Sequence, residues 1–533
     1  MHDDTVPPPS SDATPQVRHA PVRQGGTALS TAPAAVAVGA AALARSASQT
    51  LAEQLSGHYA ARIRQRLLLP GARLPSVRES ARRHRVSPST VVAAYDQLLA
   101  QGLVEAKRQR GFFVRDADTM APRAAGDPAT EARTSATRLE VTTETPLRPE
   151  APPRPPPVDA TALIRGMFAA DAQHPAPGLG TLPAEWLDAA MLQTALRRVM
   201  APASSTHATH LPSSYLNYGE PAGDTRLRHA VAHRLADFGV PATPQQIVTA
   251  NGATHALDIV SRGLLSPGDA VLVDEPGWSV EYARLTQLGM RLLPVPRGVD
   301  GPDLAAMAAL AAAHHPRLYV TCSVLHNPTG VSLSLASAHQ VLRLAEQHDF
   351  RIVEDDTYAH LAPAHAPRLC ALDGLRCTIY VSGFAKILAP GWRVGFMAAP
   401  PDLVERLVDV KLLGTLTTPA LLEQAVAVCL EQGWLRRHAE RVIARLGAAR
   451  TRSVKLALAA GCRFVTPPAG LFGWVDAGVD TERLATDMLD DGWLLAPGTV
   501  FHAHRRPSTL MRINFATTQE PRFWAAFEKA RAA

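Results

Sequence analysis

Apolar residues recur at every fourth position from Leu51 through Leu55, Tyr59 and Ile63 to Leu67. A stripe of that period marks one face of an amphipathic helix, and Pro70-Gly71 predicts its end. Ser76-Val-Arg-Glu79 reads as a capping box that opens a short helix to about His84. Ser87 and Pro88 suit the N-cap and first position of a third helix, with Val91, Tyr95, Leu98 and Leu99 facing inward and Gly102 ending it. Leu103-Val-Glu then pairs with Gly111-Phe-Phe-Val114, a hairpin whose tip is Lys107-Arg-Gln-Arg110. Three helices and a basic hairpin predict a winged helix-turn-helix over residues 49–116.

The pattern changes on either side of this module. Residues 1–48 are rich in Pro, Ser, Ala and Thr without sustained periodicity and read as a disordered extension. Residues 117–160 carry Ala151-Pro-Pro-Arg-Pro-Pro-Pro157 and read as a Pro-rich linker. From 161 to 533, short apolar runs alternate with helical patterns. Strand-like runs fall at 247–249, 271–273, 318–321, 352–353, 378–381 and 394–397, with helical stretches such as 254–265 and 335–348 between several of them. That alternation predicts an α/β domain around a mostly parallel, buried sheet.

Charge sharpens the division. The chain carries a net +6, yet residues 51–115 hold 12 Lys and Arg against 4 Asp and Glu, so the remainder is slightly acidic. One small module holds the whole positive excess, the electrostatic footprint of a nucleic-acid binder, although charge alone fits a solvated basic face equally well. The five cysteines show no metal-ligand or disulfide spacing, which favours a reducing compartment. The apolar run Ala34–Ala44 is too short to span a bilayer and follows an acidic, Pro-rich start, so a cytoplasmic protein is expected.

Candidate chemistry begins with a scarcity. Five lysines, at 107, 386, 411, 455 and 529, stand against 49 arginines. A chain that favours Arg keeps Lys where the two are not interchangeable, and a Schiff-base amine is one such place. Lys386 sits in Val381-Ser-Gly-Phe-Ala-Lys-Ile-Leu-Ala-Pro-Gly-Trp-Arg393, just after a strand-like run. Upstream, Asn327-Pro-Thr-Gly330 and Glu354-Asp-Asp-Thr-Tyr358 follow two other such runs. Taken singly, each has an ordinary reading as a turn, a core aromatic or a surface charge.

Together and in order, these motifs resemble fold-type I aminotransferases from about residue 175 to the end, while Pro70–Val114 resembles the GntR-type DNA-binding domain. The aminotransferase resemblance implies pyridoxal 5'-phosphate, with Lys386 forming the Schiff base, Asp355 pairing with the ring nitrogen, and Asn327 and Tyr358 holding the phenolate oxygen. It further implies Arg393 with Gly252, Ala253 and Thr254 around the phosphate, Trp278 stacked on the ring, and Tyr218 reaching the partner subunit's phosphate. Arg512 would grip a substrate or effector carboxylate. The family often places hydroxyls three residues before the lysine and just before it; Gly383 and Ala385 stand there in this chain. The GntR resemblance implies Ser87, Ser89 and Thr90 at bases or phosphates, Arg73, Ser76 and Arg78 on the backbone, and Lys107, Arg108 and Arg110 on the wing.

Head, linker and body together resemble the MocR subfamily of regulators. That resemblance implies a DNA operator as partner and a body that senses an amine, amino acid or B6 vitamer through aldimine chemistry. It also implies a domain-swapped homodimer, for which a linker of roughly 45 flexible residues gives a reach of about 35–40 Å. The alternative is a catalytically active aminotransferase carrying a DNA-binding domain.

Overall fold

In a computed structural model, the described residues are 49–64, 68, 71–107, 111–115, 176–201, 216–504 and 506–532. The expected N-terminal extension and the Pro-rich linker lie outside them, as do Arg108 and Arg110 of the wing.

The head comprises α1 (Leu51–Arg64), α2 (Val77–His84), α3 (Pro88–Ala100), β1 (Val104–Lys107) and β2 (Gly111–Val114). Ser76 caps α2 by accepting from the Glu79 amide at 3.3 Å. Ser87 caps α3 by accepting from the Thr90 amide at 3.1 Å, with Pro88 in the first turn. Leu55, Tyr59, Val91, Tyr95 and Leu98 close the core, and Leu99 only packs against its edge. The Tyr95 hydroxyl donates to Pro75 O at 2.9 Å, which ties α3 to the turn that starts α2. The hairpin runs from Val104 opposite Val114 to Lys107 opposite Gly111.

The body's helices are α4 (Ala189–Met200), α5 (Thr225–Asp237), α6 (Ala253–Leu264), α7 (Ser279–Gln287), α8 (Leu304–His314), α9 (Leu335–His348), α10 (Leu369–Asp373), α11 (Pro401–Thr415), α12 (Ala420–Glu431), α13 (Trp434–Ala459), α14 (Thr481–Asp490) and α15 (Pro521–Ala532). Its large sheet consists of β3 (Ile247–Ala250), β4 (Ala270–Glu275), β5 (Arg291–Gly298), β6 (Gly301–Pro302), β7 (Leu318–Thr321), β8 (Arg351–Asp355), β9 (Thr378–Gly383) and β10 (Gly395–Ala398), in the order β3-β10-β9-β8-β7-β4-β5-β6. Five neighbours, β5, β4, β7, β8 and β9, are parallel, and β10 runs antiparallel between β9 and β3. Strands buried on both faces read as continuous apolar runs, and helices cover each side. The register sets Gly395 opposite both Gly383 and Ala250, so β3, β8 and β9 end at one edge of the sheet. Ligands bind at that edge in open α/β sheets.

A second sheet was not foreseen from sequence. β11 (Arg463–Phe464), β12 (Phe472–Asp476), β13 (Ala496–Pro497) and β14 (Leu510–Asn514) form an antiparallel sheet in the order β11-β12-β14-β13. Its inner residues, including Phe472, Val475, Met511 and Ile513, join the core shared with α13 and α15. Among the described residues no helix is long and apolar enough to cross a membrane.

Candidate functional site

The strand ends bring Lys386, Asp355, Tyr358, Asn327 and Arg393 to one edge, and β14 brings Arg512 to them from the other sheet. Lys386 follows β9 and donates through Nζ to Gly180 O at 2.8 Å. Burial, reinforced by Arg512 and opposed by Asp355, lowers its pKa to about 8. Asp355 ends β8, where burial raises its carboxyl to about 6 even though Thr357 donates to Oδ1 from both its amide and its hydroxyl. A low-dielectric site thus penalises both charged forms: the Asp355 carboxylate partly relieves Lys386, whereas only the Thr357 hydrogen bonds relieve Asp355, with Glu281 and Asp356 adding to its upward shift.

Arg512 is 6% exposed. Its Nη1 donates to Asn327 Oδ1 at 2.6 Å, and its Nη2 to Gly178 O. The guanidinium lies 4.4 Å from the Phe472 ring centre and 5.0 Å from that of Phe501. Its Nε is buried without a hydrogen-bond partner among the described residues, and burial lowers its pKa to about 10. Tyr358, edge-on to Phe472 at 5.4 Å, has its hydroxyl pushed up by burial.

Gly252 adopts φ +83°, a conformation that favours glycine, and forms the N-cap of α6. A Cβ there would fall 2.5 Å from Arg393 Nη2, so the glycine makes room for the guanidinium beside the helix N-terminus. Ala253 and Thr254 supply the first turn, and Arg393 Nη2 donates to Asn251 O at 3.0 Å. Trp278 caps α7 and packs partly buried against the core. Tyr218 does not join the others: its side chain stands 80% exposed.

In the head, Ser87, Ser89, Arg73, Ser76 and Arg78 are exposed and Thr90 half-buried. The Ser87 hydroxyl lies 2.8 Å from both Ser89 Oγ and Thr90 Oγ1, so the three share one cap. The Arg73 guanidinium covers Gly111 at the tip end of the hairpin. Lys107 pairs with Glu105 at 3.0 Å and lies over the Phe113 ring at 4.9 Å.

Sequence reasoning missed two features. Lys411 is fully buried, donates to Thr249 Oγ1 at 3.1 Å and Thr418 Oγ1 at 3.4 Å, and has its pKa lowered by burial to about 8. The scarcity of lysine that singled out Lys386 points equally to Lys411; position separates them, because hydroxyls occupy Lys411 while Lys386 faces Asp355 and Arg512. The second feature is the segment 177–181, whose carbonyls hold site residues and whose small side chains give no chemical signal.

A winged-helix head on an aminotransferase-type body defines a class of DNA-binding regulator. The bacterial regulatory protein, gntR family, matches residues 51–114, and aminotransferase class I and II matches 187–523. The chain is 31% identical over 460 residues to the probable rhizopine catabolism regulatory protein MocR of Rhizobium meliloti, covering 84% of this chain and 83% of that one. It is 26% identical over 484 residues to the uncharacterized HTH-type transcriptional regulator YisV of Bacillus subtilis, covering 86% and 92%. Among solved structures, α-aminoadipate aminotransferase LysN of Thermus thermophilus, complexed with N-(5'-phosphopyridoxyl)-L-leucine, matches at 25% identity and a TM-score of 0.62, covering 69% of this chain and 94% of that one. The chain belongs to the MocR subfamily of GntR-type regulators. Its family cofactor is pyridoxal phosphate, and the donor set fits that group: a lysine amine held near neutrality, a buried carboxylate, and a glycine-lined helix N-terminus with an arginine.

Proposed function

We propose that this regulator senses an amine, amino acid or B6 vitamer at its cofactor site and alters its affinity for operator DNA in response. The carrying observation is the grouping of Lys386, Asp355, Asn327 and Arg512. Bound there, pyridoxal phosphate supplies an aldehyde that takes amines and a pyridinium ring that withdraws electrons. Lys386 would hold it covalently, and Asp355 would keep the ring nitrogen protonated. With Oδ1 of Asn327 engaged by Arg512, its Nδ2 would donate to the phenolate oxygen beside Tyr358. The Ala253 and Thr254 amides and Arg393, given room by Gly252, would hold the phosphate, Trp278 would cover the ring, and Arg512 would receive a carboxylate.

The domain-swapped homodimer belongs to the same reading. Leu216, Tyr218, Leu413 and Leu416 are all at least half exposed, Leu413 at 91%. Gly219 packs on Thr417 and Ala420, which places the segment of Leu216 and Tyr218 beside the segment that follows Leu413 and Leu416. Apolar residues grouped on a surface fit a subunit contact, from which Tyr218 reaches the partner subunit's phosphate. The domain bounds 49–116, 117–160 and 161–533, a cytoplasmic location, and DNA contacts from Arg73, Ser76, Arg78, Ser87, Ser89, Thr90, Lys107, Arg108 and Arg110 complete it.

The test titrates cofactor-loaded protein with amines while measuring affinity for DNA from its own promoter region. The effector changes that affinity by a factor equivalent to about 1–3 kcal/mol, and DNA changes effector affinity by the same factor. The second reading, a working aminotransferase, is favoured by the same lowered Lys386, because a lysine titrating near 8 can shuttle a proton. Complete half-transamination of a common amino acid with no change in DNA affinity selects it.

A further inference from the structure

Five consecutive carbonyls, 177–181, face the site and accept from it. Pro177 O takes the Asn514 amide at 3.1 Å, and Gly178 O takes Arg512 Nη2. Leu179 O and Thr181 O take Asn514 Nδ2 at 2.9 and 2.8 Å, and Gly180 O takes the Lys386 amine at 2.8 Å. Asn514 thus holds three carbonyls of this strap, and Arg512 and Lys386, which would handle carboxylate and cofactor, hold the two between them.

The strap is anchored at its other side just beyond α14. The Gly178 amide donates to Leu494 O at 2.7 Å, and a Cβ on Gly178 would lie 2.4 Å from the Leu495 carbonyl carbon, so backbone rests on backbone. Ala496, the next residue, pairs in register with Arg512. The preceding turn is stitched to the end of α14 by Trp493 N to Met488 O at 2.9 Å and Gly492 N to Leu489 O at 3.1 Å.

That end of α14 is where the head sits. Arg83 of α2 pairs with Asp487 at 2.7 Å, and Arg62 of α1, 3% exposed, donates to Leu489 O at 3.0 Å with Asp491 nearby. Cations against the C-terminus of a helix and its carboxylates form a favourable seat. Ser87 and Ser89 remain exposed on the seated head.

We infer that the strap 177–181 is the link through which the head reads the state of the site, and that the acidic end of α14 is the surface that receives the signal. This rests on the sensor reading above and adds its route. Condensation of Lys386 with the aldehyde of pyridoxal phosphate, with loss of one water, would draw its nitrogen from Gly180 O. An incoming carboxylate competes with Gly178 O for Arg512. Each event releases a carbonyl of the strap, and the strap bears on the turn that carries the seat of Arg62 and Arg83. Coupling through contacts requires such an element with two arrangements.

The experiment uses pyridoxal phosphate itself as probe, with hydrogen exchange on the full-length chain before and after loading. In the wild type, loading changes exchange at least threefold in 176–182, in 487–496 and in α1–α2. Asp487→Arg, or the milder Asp487→Ala, keeps the response of 176–182 and removes that of α1–α2. Combining Arg83→Asp with Asp487→Arg restores at least half of it. A strap that does not respond, or a head that responds equally in the Asp487 variants, overturns the inference. If the head responds as described while no amine moves DNA affinity, the link stands and the sensor reading fails.

Discussion

Arg512 Nη1 meets Asn327 Oδ1 at 2.6 Å across 185 residues of chain. The amide oxygen holds the guanidinium, and the amide nitrogen is left to donate elsewhere, so on the proposed reading Asn327 would position Arg512 for a carboxylate while donating to the cofactor. Arg512 then presents a buried Nε with no protein partner among the described residues. A charged hydrogen bond in such a site contributes about 1.5–3 kcal/mol. Arg512→Ala is therefore expected to weaken a carboxylate-bearing amine about 10–150-fold in spectral titrations, and an amine lacking the carboxylate by less than threefold. Equal losses for both would remove Arg512 from carboxylate binding.

Lys386 yields a pH dependence whose sign is fixed by its environment. Burial, with Arg512 and Arg393 nearby, lowers its pKa to about 8, so the nucleophilic neutral amine predominates above that pH and declines below it. The rate of covalent attachment is expected to rise about tenfold per pH unit up to about 8 and to level above it. Stopped-flow absorbance across pH 6–10 reads this; an inflection near 10 would show a solvated lysine. Lys386→Ala abolishes the borohydride-fixable adduct. Lys411→Ala keeps it and lowers stability by about 1–3 kcal/mol, since Thr249 and Thr418 lose a buried partner.

These two lysines also show what a sequence can and cannot reveal. Lys386 was legible because apolar strand runs are easy to read in a buried parallel sheet, and motifs at their ends fall together. Residues such as Val271, Ile352 and Ile379 lie in those runs and are fully buried. The second sheet was not legible, because β11 and β13 span two residues each and offer no period to detect. Lys411 shares the scarcity argument but has no motif around it. The strap from Pro177 to Thr181 acts through backbone carbonyls, which every residue type carries, so residue identity could not reveal it. Tyr218, singled out by its motif, stands exposed and apart from the other site residues.

DNA binding by the head is expected to be steeply salt-dependent, since neutralising phosphates releases counterions. Replacing Lys107, Arg108 and Arg110 with Ala in the full-length protein should flatten the slope of log affinity against log salt by about 2–3, roughly 0.9 for each phosphate left without its cation. Lys107 contributes less than a lone cation would, because it exchanges Glu105 at 3.0 Å for a phosphate. Fluorescence anisotropy with promoter DNA at several salt concentrations measures the slope; an unchanged slope would take the wing off the DNA.

The head also carries an acid-sensitive core. His58 and His84 lie 5.7 Å apart, ring to ring, and the Tyr59 hydroxyl lies 3.3 Å from His84 Nε2. Burial, with Arg62 as the nearest cation for both and Arg83 also facing His84, lowers His58 to about 3 and His84 to about 4. In the unfolded chain both histidines take up protons near their ordinary value of about 6.5. Between that value and about 4, the unfolded head therefore binds more protons than the folded one, approaching two, and stability rises with pH across the window. The contribution is complete above about pH 7 and is lost progressively as pH falls below 6.5. The head's melting transition is thus expected to drop between pH 7 and 5 more steeply in the wild type than in a variant carrying His58→Gln and His84→Gln. DNA affinity discriminates further, because protonation of solvated histidines would add positive charge and tighten binding in acid. Loss of affinity below pH 6.5 in the wild type, relieved in the double variant, places the effect in the fold of the head; parallel melting curves for the two proteins would exclude these histidines as its cause.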